Sequence, residues 1–290
     1  MPRAIDHIVL PVTTLTLARS RLTSLGFTVA PDARHPFGTG NCCVFFRNGT
    51  YLEPITFVDR NVADEAAANG VTFVTALKRF TERRGEGFAM LALRSNDAEK
   101  DAGDLEAAGI AGGPPFRFSR AATMPDGSEQ EIGVVLVFAA DERSPDATIF
   151  LCEKTAAGGF MDELFVSHPN GTEGVAGVTA VAEDTSAFRG LLSSTTGSSE
   201  LEASRDGLGI KTGAGTVAVV TPAEFASRYG VVPPEPRRGL IFAAIDLHVA
   251  DLDRAIGYAG PTAARHKGRI VVPPSPGLGA VLAFGNNQDG

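Results

Sequence analysis

One pattern recurs along the chain and restricts its folding more than any other: a β-branched strand, an amphipathic helix stopped by glycine, and further short strands. The first copy opens with Ile5-Asp6-His7-Ile8-Val9-Leu10-Pro11-Val12 and continues with Leu15, Leu17, Ala18, Leu22 and Leu25 at helical spacing up to Gly26. Phe27 to Ala30 reads as a short strand and Pro31 to Gly40 as a loop. Asn41 to Phe46 and Tyr51 to Phe57 read as two strands around an Asn48-Gly49 turn. The order is β-α-β-β-β. A helical stretch follows from Asp59 to Thr81, with Phe73, Leu77 and Phe80 on one face.

The second copy starts at Gly87-Phe88-Ala89-Met90-Leu91-Ala92-Leu93. Its helix runs from Asp97 to Ala108, and strands follow near Phe116, at Glu131 to Phe138 and at Thr148 to Glu153. His7 lies 19 residues before Gly26, and Met90 lies 19 before Gly109, which puts Met90 at the His7 position. A third copy begins at Val175 to Ala182, with a helix at Thr185 to Leu192, strands at Leu208 to Lys211 and Thr216 to Val220, and a helical tail at Ala223 to Tyr229. The fourth has a strand at Leu240 to Val249, a helix at Asp251 to Tyr258, and strands at Arg269 to Val272 and Ala280 to Phe284. Four copies mean an α+β protein built of βαβββ modules. Val231-Val232-Pro233-Pro234-Glu235-Pro236 is a stiff connector between the last two. Two domains are expected, at 1–172 and 173–290.

With 43% hydrophobic and 21% charged residues, the chain can bury one large core or two ordinary ones. A net charge of −8, with basic residues scattered among acids, excludes a phosphate-binding stripe and so a nucleic-acid or anionic-membrane partner. The N-terminus leads straight into a strand without a signal-like apolar segment, and no apolar run approaches the ~20 residues of a membrane span, so a soluble, cytoplasmic protein is expected. Cys42, Cys43 and Cys152 form no disulfide framework and read as reduced thiols. Gly38-Thr39-Gly40, Gly207-Leu208-Gly209 and Gly277-Leu278-Gly279 do not extend to a nucleotide-binding fingerprint, and no nucleotide cofactor is expected.

Alternation along the first strand puts His7 on the face opposite Ile8 and Leu10, together with Ile5 and Val9. Glu53, in Tyr51-Leu52-Glu53-Pro54-Ile55, lies among apolar residues of the module's last strand, where a carboxylate is costly unless it is paired or bound to a cation. His35 sits in a Pro/Gly-rich loop, either facing a ligand or capping a turn. His248 falls at the register of Pro11 and His266 in a polar loop, so both read as structural or solvated.

Asp6-His7-Ile8-Val9-Leu10, Arg34-His35-Pro36-Phe37-Gly38-Thr39-Gly40-Asn41, Tyr51-Leu52-Glu53 and His168-Pro169-Asn170-Gly171 resemble successive motifs of the glyoxalase-like branch of the vicinal oxygen chelate superfamily. The resemblance is specific over residues 4–57, diffuse over 85–172, and topological beyond. It implies tandem βαβββ modules paired into cup-shaped barrels, a small-molecule ligand, and a divalent metal (Zn, Fe, Mn or Ni) held by His7 and Glu53. It also implies a catalytic role for His35, and Arg34, Asn41, Lys154 and His168 as substrate contacts. The activity it implies is that of a metal-assisted lyase, isomerase or dioxygenase on a small oxygenated metabolite; the alternative is a metal-free protein that sequesters a small molecule. Where relatives tend to carry a histidine, this chain has Lys154. A third ligand then comes from Cys152, Glu153, His35 or His168, or the metal is lost and Lys154 pairs with Glu53. Gly177 and Ala244 at the His7 position leave the second barrel without first-strand ligands. Both a homodimer and closure within one chain are open to four modules.

Overall fold

The computed structural model describes residues 2–123, 129–154, 163–236 and 239–286. The first module comprises β1 (Ile5–Pro11), α1 (Leu15–Ser24), β2 (Ala33–Arg34), β3 (Thr39–Asn41), β4 (Val44–Phe45) and β5 (Tyr51–Phe57). Two helices follow, α2 (Arg60–Ala68) and α3 (Thr72–Arg84). The second module is β6 (Met90–Arg94), α4 (Ala98–Ala107), β7 (Phe116–Thr123), β8 (Glu129–Ala139) and β9 (Thr148–Lys154). The third is β10 (Thr172–Val181), α5 (Arg189–Thr196), β11 (Leu201–Ser204), β12 (Gly207–Lys211) and β13 (Thr216–Val220), trailed by α6 (Pro222–Tyr229). The fourth is β14 (Ile241–Val249), α7 (Leu252–Ala259), β15 (Ala264–His266), β16 (Arg269–Val272) and β17 (Val281–Gly285). Short side chains start the helices: Thr14 accepts from the Leu17 amide, Asp59 from Val62 and Asp97 from Lys100, each satisfying one of the amides a helix start leaves open.

The modules pair into two curled sheets. The first has the order β2-β3-β5-β1-β6-β9-β8-β7, with β4 also on β5, and the second β11-β12-β13-β10-β14-β17-β16-β15. In each, the opening strands of two modules lie antiparallel at the centre, and each opening strand runs parallel to its own module's last strand. The register repeats: His7 faces Tyr51, Met90 faces Thr148, Gly177 faces Thr216 and Ala244 faces Val281. His7, Met90, Gly177 and Ala244 therefore share one topological position, which the spacing predicts for His7 and Met90 and the order of the modules for the other two.

The expected strand at Phe27–Ala30 does not form. The Arg19 guanidinium binds the carbonyls of Val29 and Ala30 (3.0 and 2.6 Å) and His168 Nδ1 accepts from the Thr28 amide (3.1 Å), so side chains take the groups a ladder would use. The strand lies a few residues later, at β2.

The largest core joins the helix-bearing faces of both sheets, with Ile8, Leu22, Leu91 and Leu105 in the same cluster as Val178, Leu191, Ile245 and Leu282. The concave faces are filled differently. In the first cup, Phe73, Leu77 and Phe80 of α3 cover part of the sheet and leave a cavity beside them. In the second, Phe225 and Tyr229 of α6 pack onto Val181, Ile241 and Ala283. No helix among the described residues is long and apolar enough to cross a membrane.

Candidate active site in the first barrel

Sequence alternation predicts His7 and Ile5 on one face, and the structure separates them. The β1–β6 register slips between Ile5 and His7, since Ile5 pairs with Leu93 and His7 with Ala92. This bulge sends Ile5 to the helix-side core with Ile8 and Leu10 and turns both Asp6 and His7 into the cavity. Asp6 is thus a site residue that a strict period of two hides.

The two side chains form the first half of a buried polar chain. His7 Nδ1 lies 2.6 Å from Asp6 Oδ1, and Lys154 Nζ donates to the same oxygen at 2.7 Å. Arg94 Nε stands 3.5 Å from Asp6 Oδ2. Burial by itself would raise the Asp6 carboxyl, but the Lys154 ammonium and the His7 hydrogen bond outweigh it and hold Asp6 well below the usual carboxylate range. An ionised carboxylate only accepts, so the bonded nitrogen of His7 carries the proton and Nε2 is aimed elsewhere. The His7 ring is fixed between Tyr51, stacked at 4.4 Å, and the edge of Phe150 at 5.4 Å.

The other half surrounds Glu53, which is 5% exposed. Asn41 Nδ2 donates to Oε1 at 2.6 Å, His35 Nε2 stands 3.7 Å from the same oxygen, and His7 Nε2 is 3.4 Å from Oε2. His35 is held by Thr39 Oγ1 at Nδ1 (2.9 Å) and by stacking on Phe37 (4.9 Å). The turn beneath it depends on Gly38, whose φ is +83° and where a Cβ would stand 2.5 Å from the Asp59 carbonyl oxygen.

Around this floor lies a cavity of about 370 Å³, walled by Phe37, Phe73, Phe118 and Phe150 together with Ile132, Val134 and Leu136. Burial raises the Tyr51 phenol well above its ordinary range, with Asp6 and Glu53 adding to the shift, so it stays protonated.

Of the residues singled out from sequence, His7, His35, Asn41, Glu53 and Lys154 line one cavity. Lys154 pairs with Asp6 and not with Glu53, because the bulge brings the Asp6 carboxylate within its reach. Arg34 is exposed at the edge of the sheet and does not line the cavity. His168 stands apart, wedged between the Thr28 amide and the Phe45 carbonyl (2.9 Å) among Phe27 and Phe46; burial brings its pKa down to about 4. Besides Asp6, sequence reasoning missed Tyr51, Arg94 and the aromatic wall, whose members come from distant segments.

Two donor sets in the cup bear on a divalent metal. Asp6, His7 and Cys152 offer ligand atoms within 4.8 Å of one another, but Asp6 is bound to an ammonium and burial pushes the Cys152 thiol far up, so neither suits a cation there. His7 Nε2 and Glu53 fit better. Two ligands about 2.1 Å from a tetrahedral ion lie about 3.4 Å apart, and a carboxylate on the far nitrogen is the usual partner of a metal-binding histidine. Asp6, on His7 Nδ1, stands where that partner would be. At the positions equivalent to His7 and Glu53 the second module carries Met90 and Phe150, neither of which is a donor for such an ion. In the second cup, Tyr229 donates to Asp246 at 2.9 Å, bonds Thr179 at 2.7 Å, and Arg269 closes the group on Asp246 at 3.0 Å.

The chain belongs to the glyoxalase-like domain family, whose model matches residues 5–196. A hypothetical protein from Staphylococcus aureus has the same fold over 97% of this chain and 98% of its own, with a TM-score of 0.69 and 13% identity. A variant of 4-hydroxymandelate synthase from Streptomyces coelicolor aligns over 98% and 91%, with a TM-score of 0.55 and 13% identity. For 2,2',3-trihydroxybiphenyl 1,2-dioxygenase from Sphingomonas wittichii strain RW1 the coverages are also 98% and 91%, with a TM-score of 0.53 and 12% identity. At these identities the likeness is one of fold. No curated protein matches the sequence.

Proposed function

We propose that the first cup is the active site of a metal-assisted enzyme acting on a small oxygenated metabolite, as a lyase, isomerase or dioxygenase. The observation that carries this reading is the cavity floor: a buried carboxylate, Glu53, flanked by imidazole nitrogens of His7 and His35 under an apolar wall. His7 and Glu53 would hold the cation, with Asp6 fixing the His7 tautomer. A bound divalent ion would act as a Lewis acid on a substrate oxygen. Asn41 positions Glu53, and His35 is placed to give or take a proton at Nε2. The aromatic wall keeps water from the floor, where hydrogen bonds and charges act more strongly than in solution.

Met90 and Phe150 favour a second reading, a metal-free protein that binds a small molecule in the same cavity. Metal analysis separates the two. After reconstitution with Zn²⁺, Mn²⁺, Fe²⁺ or Ni²⁺, about one equivalent retained by the wild type and lost in His7→Ala and Glu53→Gln supports the enzyme. No retention of any of the four overturns it.

A further inference from the structure

The strand that brings Tyr51 and Glu53 into the first cup begins at a turn seated on the second barrel. Phe46 N donates to the Thr50 carbonyl and Gly49 N to the Phe46 carbonyl, each at 2.9 Å, which closes the turn between β4 and β5. Inside it, Asn48 Oδ1 accepts from the Thr50 amide (3.0 Å) and from the Thr50 hydroxyl (2.7 Å). The outer face of the turn then meets β10. Val175 N donates to Thr50 Oγ1 at 3.0 Å, Asn48 Nδ2 donates to the Val175 carbonyl at 3.3 Å, and Asn48 N donates to the Glu173 carbonyl at 3.3 Å. Thr50 is 0% exposed and Val175 2%, so the hydroxyl satisfies an amide buried from water.

This stretch of β10 has little sheet of its own to bind. β13 pairs with β10 only from Gly177 onward, and the β10–β14 register slips on both sides of Gly174 and Val175. Main-chain groups at Glu173 and Val175 are thereby left for a partner outside the ladder, and the Asn48–Thr50 turn supplies it. The fit is close: a Cβ on Gly174 would stand 2.1 Å from Asn48 Nδ2 and 2.2 Å from its Cγ. On the cavity side, Arg94 Nη2 donates to the Gly49 carbonyl at 2.7 Å, and Gly49 itself lines the cavity, so the turn is held from both directions.

We infer that Asn48 and Thr50 are positioning residues. Through them the second barrel, which carries Gly177 and Ala244 where the first has His7, fixes the start of β5 and with it the placement of Tyr51 and Glu53 in the cup. Tyr51 follows Thr50 directly and Glu53 lies three residues on. A site of this kind needs its groups within about 0.5 Å of the productive geometry, so an anchor this near in sequence acts on both side chains.

One variant in each barrel tests this. Thr50→Val keeps the side-chain shape and removes the hydroxyl; Gly174→Ala drives a methyl group into the Asn48 amide and leaves the first barrel's sequence untouched. Tyr229→Phe, whose lost bonds lie in the second cup, is the control for a general loss of stability. Hydrogen exchange on the metal-free protein is the first readout. Both variants are expected to raise exchange at Val44–Glu53 relative to Thr216–Val220 by about two- to tenfold, and Tyr229→Phe to leave that ratio at the wild-type value. The second readout rests on the reading of His7 and Glu53 as metal ligands: calorimetric titration with Zn²⁺, Mn²⁺, Fe²⁺ or Ni²⁺, whichever the wild type retains, should show about tenfold weaker binding in both variants and wild-type binding in Tyr229→Phe. An unchanged exchange ratio in a folded variant overturns the inference, as does unchanged affinity for a retained ion. If one variant fails to fold, the other decides. If the wild type retains none of the four ions, the metal reading has failed, and the exchange ratio alone decides this inference.

Discussion

Replacing Lys154 by methionine keeps most of the side-chain volume and removes the ammonium that neutralises Asp6. The Asp6 side chain is 6% exposed and that of Lys154 28%. Removing one partner of a buried pair costs about 3–5 kcal/mol; here the partial exposure of Lys154 and the nearby Arg94 reduce this to about 2–3 kcal/mol. For a chain of this size that lowers the melting temperature by roughly 4–12 °C. The pH dependence is the sharper signature. In the wild type the Asp6 carboxyl is held low, so its contribution is present above the unfolded value near pH 4 and is lost only as pH falls through the depressed folded value. Without the ammonium, burial raises that carboxyl, and the penalty on its ionised form fades as acid protonates it in the folded state. Urea denaturation followed by circular dichroism should give the widest gap between wild type and Lys154→Met near neutral pH, closing toward about pH 4. An unchanged midpoint in the variant, or a gap of constant size across that range, refutes the assignment of Lys154 to Asp6.

His168 is held neutral in the folded state with a pKa of about 4, below its unfolded value near 6.5, so the stability it confers is lost as pH falls between the two. His168→Asn is expected to flatten that part of the stability profile while leaving metal retention in the first cup intact. Tyr229→Phe removes the hydroxyl that bonds Asp246 and Thr179 in the second cup, and should cost about 1–3 kcal/mol in denaturant unfolding without changing metal retention in the first.

Much of this architecture is legible in the sequence because each module repeats the same spacing. The position shared by His7 and Met90 follows from counting 19 residues to the glycine after each early helix, and the ladders place Gly177 and Ala244 at the same position in the other two modules. Short edge strands such as β11 and β15 are less legible, since two to four residues carry little pattern. Within the site, His7 and Glu53 stand out as polar residues in apolar strands. Asp6 does not, because its inward turn comes from a bulge that no alternation reveals, and the partner of Lys154 is hidden with it. The aromatic wall is assembled from a turn, an inserted helix and two strands of the second module, a convergence that only the folded chain displays.

The proposed metal site lies between the His7 imidazole and the Glu53 carboxylate. Anomalous diffraction at the absorption edge of the reconstituted metal tests it most directly. A single peak is expected in the first cup, within bonding distance of His7 Nε2 and Glu53 and not of Lys154. A peak on Asp6 and Cys152, or none in crystals of protein reconstituted with each metal in turn, contradicts it.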